Sequence, residues 1–252
     1  MRHRIQEFFA PSNQRSSKID NESVTALVLS AGGMFAAWQV GVWKALSARF
    51  HPDLVVGASA GALNGWAIAG GCSIGELADS WLDPGSAKIL RLRRPEALLE
   101  VSRSLYKRYQ PHLPIGVPLV EVPRLRACLV RDREIRWEHL AASCSIPLWF
   151  PSVLIDGRRY VDGGLRAALP LWAAEEMGAT RAIAVNAFDI PAAALLRLVV
   201  VPPKASSHLD VVYIKPSEPL GPLHHGLIWS ADRVRRWMEL GERDGNLAVS
   251  RL

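Results

Sequence analysis

A chain of 252 residues with 49% hydrophobic and 21% charged residues is too apolar to be disordered and long enough to bury a substantial core. Its formal net charge of +6 is compatible with an acidic partner, but no nucleic-acid-binding motif is present and we expect no nucleic acid to bind. The N-terminus lacks an apolar signal core, and polar residues interrupt the low-charge runs, so we expect neither a signal peptide nor a transmembrane segment.

Residues 1–22 are polar and charged, and we expect a flexible N-terminal arm followed by a single domain over residues 23–252. The domain opens with a predicted buried strand at residues 25–30, a helix at about residues 38–50 and a second strand at residues 54–56. Strand, helix and strand in this order predict a βαβ unit, and therefore an α/β fold with a mostly parallel sheet.

The second strand leads into Gly57-Ala58-Ser59-Ala60-Gly61, which fits the Gly-x-Ser-x-Gly pattern of a nucleophile elbow. The glycines allow a sharp reversal into a helix, predicted at residues 60–69, so that the Ser59 hydroxyl stands at the tip. Free N–H groups at the start of that helix favour negative charge beside the hydroxyl. The pattern is weak by itself, and a serine that only caps the helix is the alternative.

Residues 75–123 are predicted to be mainly helical until four prolines indicate a loop, and we interpret the stretch as a helical cap over the core. Within it, Lys88–Arg108 carries seven Lys or Arg residues against two Glu residues, interleaved with apolar ones. A basic helix of this kind can lie on an anionic membrane. A solvated helix face is the simpler alternative.

Further elements are predicted at residues 137–144 (helix), 153–155 and 159–161 (hairpin), 169–177 (helix), 181–185 and 210–214 (strands) and 230–242 (helix). Asp162-Gly163-Gly164 follows the hairpin at a strand end, and residues 195–201 form an apolar run. The cysteines Cys72, Cys128 and Cys144 lack metal-ligand spacing. We expect free thiols in a reducing compartment, which favours a cytoplasmic location.

A serine nucleophile requires a base, and the order Ser, Asp, His is typical of α/β-hydrolases. Only His208, His224 and His225 follow Asp162 as that order requires, and none has a clear strand-to-loop setting. Ser59 also comes after only two predicted strands, which is early for such an enzyme. A histidine triad is therefore the less favoured hypothesis.

Three motifs in order resemble those of patatin-like phospholipases. Leu29–Val42 is similar to their glycine-rich oxyanion loop, and Gly57–Gly61 matches their nucleophile elbow. Ser145–Pro151 followed by Tyr160–Gly164 matches their Asp-Gly-Gly block with its Ser-x-Pro-x-x-Phe-Pro lead-in. The similarity covers about residues 25–185, and three motifs in this order are specific where one alone would not be.

The resemblance implies a Ser–Asp dyad without histidine that acts on acyl esters of lipids. Ser59 would be the nucleophile and Asp162 its base, and the N–H groups of Gly32, Gly33 and Met34 would form the oxyanion hole. Because an Asp is a weak base at its reference pKa of about 3.9, the scheme requires partial desolvation of Asp162 and a hydrogen bond to Ser59.

The glycine loop departs from the family pattern Gly-Gly-Gly-x-Arg/Lys-Gly, since Ala31, Phe35 and Ala36 replace a glycine, the basic residue and another glycine. Either alanine would cost about 1 kcal/mol in a left-handed conformation. The two central glycines remain, so we expect a modest loss of activity. Phe35 either lines an acyl channel or packs in the core.

We therefore expect a three-layer α/β patatin-like fold with a mostly parallel central sheet and a helical cap, working as a serine acyl hydrolase without metal or cofactor. The expected substrate is a lipid or phospholipid ester, for which the apolar residues 195–201 would suit the acyl chain. A catalytically weak lipid-binding or membrane-surface protein of the same fold is the alternative, and acyl transfer to an acceptor other than water also remains open.

Overall fold

The computed structural model describes residues 23–85, 94–188 and 208–250. The strands are β1 (Thr25–Leu29), β2 (Leu54–Gly57), β3 (Ile115–Val122), β4 (Arg126–Arg131), β5 (Val153–Ile155), β6 (Arg158–Asp162), β7 (Arg181–Val185) and β8 (Asp210–Ile214). The helices are α1 (Ala37–Leu46), α2 (Ala60–Ala69), α3 (Ile74–Leu82), α4 (Pro95–Arg108), α5 (Trp137–Ser143), α6 (Leu171–Glu176) and α7 (Ala231–Val249). Short 3-10 helices lie at Gly33–Ala36, Asp132–Glu134, Gly163–Leu165 and Leu223–Leu227.

The strands form one mixed sheet in the order β5-β6-β3-β2-β1-β7-β8, with β4 paired to β3. Strands β3, β2, β1, β7 and β8 run parallel to their neighbours in that order, whereas β4, β5 and β6 make the antiparallel pairs. The predicted α/β fold with a mostly parallel sheet is confirmed. Because parallel strands end at one edge, β1 and β2 present the glycine loop and the serine elbow side by side.

The central strands are buried on both faces, so alternate residues contribute to different cores. Leu27, Leu29 and Val55 pack with side chains of α1, α2 and α7. Ala26 and Val28 face the opposite way and pack with α6. The sheet is therefore the middle of three layers.

Helix α7 packs closely along α1. A Cβ added at Gly41 would overlap the backbone oxygen of Met238, and one added at Gly241 would overlap that of Trp38. The indole of Trp38 donates to the buried carboxylate of Asp244 at 2.8 Å. Glycine at both contact points thus allows α7 to hold α1 against the sheet.

The prediction of a helical cap over residues 75–123 was partly wrong. Its first part contains α3 and α4, but the proline-rich end, expected as a loop, contains β3, which pairs with β2, β4 and β6. Almost every residue of β3 is buried, and burial of this apolar run outweighs the turn signal of its prolines. The outer helix is longer than predicted and ends at Val249. The N-terminal arm and the run 195–201 lie outside the described residues.

Candidate active site

Ser59 stands at the sharp turn between β2 and α2. Its φ of 55° and ψ of −130° are strained values for a residue other than glycine. Two contacts hold the turn: the Ala58 N–H donates to the Leu29 oxygen at 3.1 Å, and the Ser59 N–H donates to the Ser143 hydroxyl at 2.9 Å. A Cβ at Gly57 would overlap the Gly61 oxygen, which explains the small residue at that end of the pattern.

Asp162 ends β6, and both its backbone and its side chain are anchored. Its N–H donates to the Ser145 oxygen at 3.1 Å, and its Oδ1 accepts the Gly164 N–H at 2.7 Å. The Ser59 side chain lies close enough to the carboxylate to act on its pKa, which it lowers. Ser59 and Asp162 are 3% and 5% exposed, so water hardly reaches either side chain. The two residues singled out in the sequence thus lie side by side.

Burial raises the pKa of Asp162 to about 7, although the Ser59 side chain and the hydrogen bond from the Gly164 N–H act in the opposite direction. An ordinary carboxylate is fully ionised at neutral pH and accepts a proton poorly. A carboxyl group with a pKa near 7 is half ionised there and suits proton transfer. The desolvation that the sequence-based hypothesis requires of Asp162 is therefore present.

The glycine loop follows β1 and faces the serine. Gly33 has a φ of +53°, and its α-carbon lies against the Gly226 backbone, so that only glycine fits. The N–H groups of Gly32, Gly33 and Met34 precede the first hydrogen bond of the 3-10 helix, made by Phe35, and have no backbone acceptor in the described part of the chain. They remain available to an incoming oxygen atom.

The departures from the family pattern cause no backbone strain. Ala36 is helical, with φ of −66°, and Ala31 is not among the described residues with positive φ. Phe35 is buried and meets Trp237 of α7 edge-to-face, with ring centroids 5.1 Å apart. Phe35 therefore belongs to the core, and the two readings left open by the sequence are resolved in favour of packing.

A buried polar network ties the glycine loop to α2, and sequence reasoning missed it. Gln39 donates to the Ser30 oxygen at 2.8 Å, and its amide oxygen accepts a hydrogen bond from Asn64 at 3.0 Å. Asn64 also donates to the Ala36 oxygen at 3.0 Å and accepts the Trp81 indole N–H at 2.8 Å. Asn64 lies five residues beyond Ser59, so one network holds both the loop and the elbow.

Above Ser59 lies an apolar cavity of about 150 Å³ between α2, α3, α4 and the loop after α5. Its lining comprises Gly33, Met34, Ser59, Ala60, Leu63, Asn64, Leu77, Ser80, Trp81, Leu98, Val101, Leu105, Cys144, Ile146 and Phe150. Leucine, valine and isoleucine side chains with almost no charged neighbour suit a hydrocarbon chain. The expected acyl-binding region therefore has a counterpart among the described residues.

Two further neighbours of the elbow were not identified from the sequence, although they directly precede the Ser-x-Pro block. The Ser143 hydroxyl accepts the Ser59 N–H, and the Cys144 thiol lies near the Ser59 side chain. Burial, and to a smaller extent the Asp162 charge, raise the pKa of Cys144 well above its usual value. The thiol thus stays protonated beside the serine, and Cys72 and Cys128 are also free.

The less favoured histidine triad finds no support. His224 and His225 lie in the 3-10 helix at Leu223–Leu227, where their rings meet edge-to-face at 4.6 Å. Neither is among the groups that shift the pKa of the Asp162 carboxyl.

Within residues 23–85, 94–188 and 208–250, no group of three or more His, Cys, Asp or Glu side chains could hold a metal ion. No helix in these ranges is long and apolar enough to cross a membrane.

Comparison with solved structures finds proteins of similar fold. A solved structure, VipD from Legionella pneumophila, is 13% identical and superposes with a TM-score of 0.51 over 91% of this chain and 67% of VipD. The type III effector protein ExoU is 12% identical, with a TM-score of 0.47 over 91% of this chain and 53% of ExoU. No curated protein sequence matches the chain.

The likeness to VipD shows a shared fold, whereas the family follows from the sequence model for the domain described as patatin-like phospholipase. That model matches residues 27–175, more than half of the chain. The match contains the glycine loop, the elbow and the Asp-Gly-Gly turn, which the fold brings together. The chain belongs to the patatin-like phospholipase family.

Proposed function

We propose that the chain is a serine acyl hydrolase that cleaves lipid esters with Ser59 as nucleophile and Asp162 as base. The observation that carries the proposal is that the Ser59 side chain and the Asp162 carboxyl are neighbours and are both buried, and that burial raises the pKa of that carboxyl to about 7. A base that works at neutral pH requires a pKa near 7 and a hydroxyl beside it, whereas an aspartate with only a structural role requires neither.

In the first half of the reaction, Ser59 Oγ attacks the ester carbonyl carbon while its proton passes to Asp162. The negative charge that develops on the carbonyl oxygen is met by the N–H groups of Gly32, Gly33 and Met34. The tetrahedral intermediate then expels the alcohol, which takes the proton from Asp162, and leaves an acyl-enzyme.

In the second half, water takes the place of the alcohol. Asp162 accepts a proton from the water as its oxygen attacks the acyl carbon, and the intermediate collapses to a free fatty acid. The proton returns from Asp162 to Ser59, which restores the starting state. Each step of this scheme is a proton or acyl transfer, and none requires a metal or cofactor.

Two observations favour turnover over lipid binding alone. The altered glycine loop carries no strain at its alanines, and its central N–H groups are available. The polar network also fixes the loop against α2. A protein that had lost turnover would have no need to keep a strained serine against a desolvated carboxyl.

We also propose that the substrate is taken from an anionic membrane that the chain contacts peripherally. Leu148 is 99% exposed, with a φ of 70°, on the loop that lines the cavity. Two basic residues of α4 already contact other side chains, so they are less available to lipid headgroups than the composition of the helix suggests. Arg103 stacks on Trp137, and Arg108 pairs with Glu76 at 2.7 Å.

The test is incubation with vesicles of mixed phosphatidylcholine and phosphatidylglycerol, followed by mass analysis of the products and labelling with a fluorophosphonate. We expect free fatty acid and a label on Ser59, both abolished in Ser59→Ala, with activity reduced about 10⁴-fold or more. Ser47→Ala, at the exposed end of α1, is the matched control and should behave as wild type.

The alternatives give different products. An acylated acceptor without free fatty acid would identify a transferase with the same dyad. Flotation with vesicles in wild type and Ser59→Ala alike, with no product and no label, would overturn the hydrolase and support a lipid-binding protein.

A further inference from the structure

A second cavity lies next to the one above Ser59. It has a volume of about 220 Å³ between the start of α4, the loop after α5 and strand β5. Among the described residues its lining comprises Pro95, Leu98, Leu99, Ser145, Phe150, Pro151, Ser152, Val153 and Leu154, none of which is charged. The dyad residues do not line it, so the mechanism leaves its purpose unexplained.

Leu98 and Phe150 line both cavities and form the wall between them. They are 4% and 5% exposed, so each is hidden from water. Yet neither belongs to the two clusters of buried side chains that fill the layers around the sheet. A buried leucine and a buried phenylalanine that face two hollows have fewer neighbours to hold them than core residues have.

Phe150 is also carried on a short turn. The N–H groups of Trp149 and Phe150 both donate to the Ile146 oxygen, at 3.1 and 2.9 Å. The turn is anchored at its base, where the Ser145 hydroxyl donates to the Ala141 oxygen at 3.0 Å. A change of the Phe150 rotamer therefore needs no movement of the dyad.

We propose that the second cavity binds the distal part of a long acyl chain whose ester lies at Ser59, and that Phe150 is the gate between the proximal and distal parts. This inference rests on the proposed hydrolase function. A short chain fills only the cavity above Ser59. A long chain displaces the Phe150 ring and continues into the cavity beyond Leu98.

The lining identifies the ligand as hydrocarbon. The polar side chains that line it are Ser145, whose hydroxyl donates to the Ala141 oxygen of α5, and Ser152, which accepts a hydrogen bond from Arg159 at 3.4 Å. None of the described side chains that line the cavity is charged, and each methylene buried there contributes about fourfold in binding. Continuity with the cavity at the ester makes the scissile chain the nearest source of methylenes.

The test fills the second cavity from its far side. Leu99 lines only the second cavity, so Leu99→Trp occupies it without touching the dyad. We expect kcat/KM for p-nitrophenyl palmitate to fall about tenfold or more, whereas that for p-nitrophenyl butyrate stays within about twofold. Leu247→Trp, an exposed position of α7, is the matched control and should change neither.

Phe150→Ala tests the gate. Removal of the ring should raise the palmitate-to-butyrate ratio of kcat/KM about threefold or more. This gain should vanish in the double variant with Leu99→Trp, because both substitutions affect the path of the same acyl chain into the second cavity. Equal loss on both esters in Leu99→Trp, or a gain from Phe150→Ala that survives in the double variant, would overturn the inference.

The second chain of a diacyl lipid is the other source of methylenes. If Leu99→Trp impaired only phosphatidylcholine and left palmitoyl lysophosphatidylcholine and p-nitrophenyl palmitate unchanged, the cavity would hold that second chain and the inference would be wrong. Failure of the hydrolase itself looks different, because the wild type would then cleave neither p-nitrophenyl ester.

Discussion

The two sides of the site are built from different structures. Ser59 and the glycine loop follow parallel strands β1 and β2, and uncharged contacts hold them: close glycine packing and the amides of Gln39 and Asn64. Asp162 instead comes from the antiparallel part of the sheet, where β6 pairs with β3, and burial sets its pKa. We call Ser59 and the glycine loop the elbow side, and Asp162 at the end of β6 the carboxylate side. The position of the groups on the elbow side thus depends on close packing, whereas the carboxylate side depends on the ionisation of Asp162.

This difference predicts two kinds of sensitivity. Substitutions on the elbow side should change the position of the reacting groups and have similar effects at all pH values. Changes on the carboxylate side should act through protonation and depend strongly on pH. Each experiment below separates the two sides.

The largest effect is expected from Asp162→Asn. The amide keeps the shape but cannot accept a proton from Ser59, so kcat should fall roughly 10²–10⁴-fold for soluble esters. Asp156→Asn is the matched control, since Asp156 lies on the same hairpin and only pairs with Arg136 at 2.8 Å. Equal activity of the two variants would exclude Asp162 as the base.

The same variant should be more stable than the wild type at neutral pH. The folded pKa of about 7 lies above the unfolded value, so the stability contribution is complete below the unfolded pKa and is lost as pH rises towards 7. The difference in unfolding free energy between Asp162→Asn and wild type should therefore grow from pH 5 to 8, by roughly 2.5 kcal/mol. Urea unfolding at each pH measures it, and a constant difference would contradict the cause given for the raised pKa.

The pH profile of the wild type tests the carboxylate side without mutation. Because only ionised Asp162 accepts the serine proton in the proposed mechanism, kcat/KM for p-nitrophenyl butyrate should fall about tenfold per pH unit below an apparent pKa of about 7. The profile is measured in constant ionic strength, with protein stability checked at each pH. A profile that stays flat down to pH 5 would show that the working base titrates elsewhere.

Gln39→Leu tests the elbow side. The buried amide holds the glycine loop through the Ser30 oxygen and does not line the cavity, so its loss should lower kcat about tenfold with little change in KM. Unpaired groups on Ser30 and Asn64 should also reduce stability by about 1–3 kcal/mol. The apparent pKa should stay that of the wild type, which distinguishes this positioning role from the carboxylate side.

The matched control is Gln110→Leu, an exposed position whose amide donates only to the Tyr106 oxygen at 3.2 Å. It should leave kcat and stability nearly unchanged. If Gln39→Leu raised KM and left kcat as it was, the loop would not be positioned by the network.

The elbow side was the easier side to predict from the sequence. The strand before Ser59, the glycines around it and the helix after it are local signals, and the observed β2 and α2 match them closely. Asp162 was located through its Asp-Gly-Gly turn, but its contact with Ser59 depends on β3, which was mistaken for a loop. Gln39 and Asn64 carry no local motif, because their roles arise only when α1 and α2 pack together.

The smallest effect is expected where α7 supports the elbow side from outside. A methyl group at Gly241 would overlap the Trp38 oxygen of α1, one residue from Gln39, so Gly241→Ala should lower stability by about 1–3 kcal/mol. Gly75→Ala is the control, because a Cβ at that helical position meets nothing within 4 Å and alanine should stabilise it by about 0.5–1 kcal/mol. Thermal unfolding of both variants measures the difference.

The same substitution should also affect activity. Since the overlap displaces α1 and leaves the carboxylate side in place, Gly241→Ala should lower kcat without shifting the apparent pKa of the pH profile. A shifted pKa would mean that the two sides are coupled through α1.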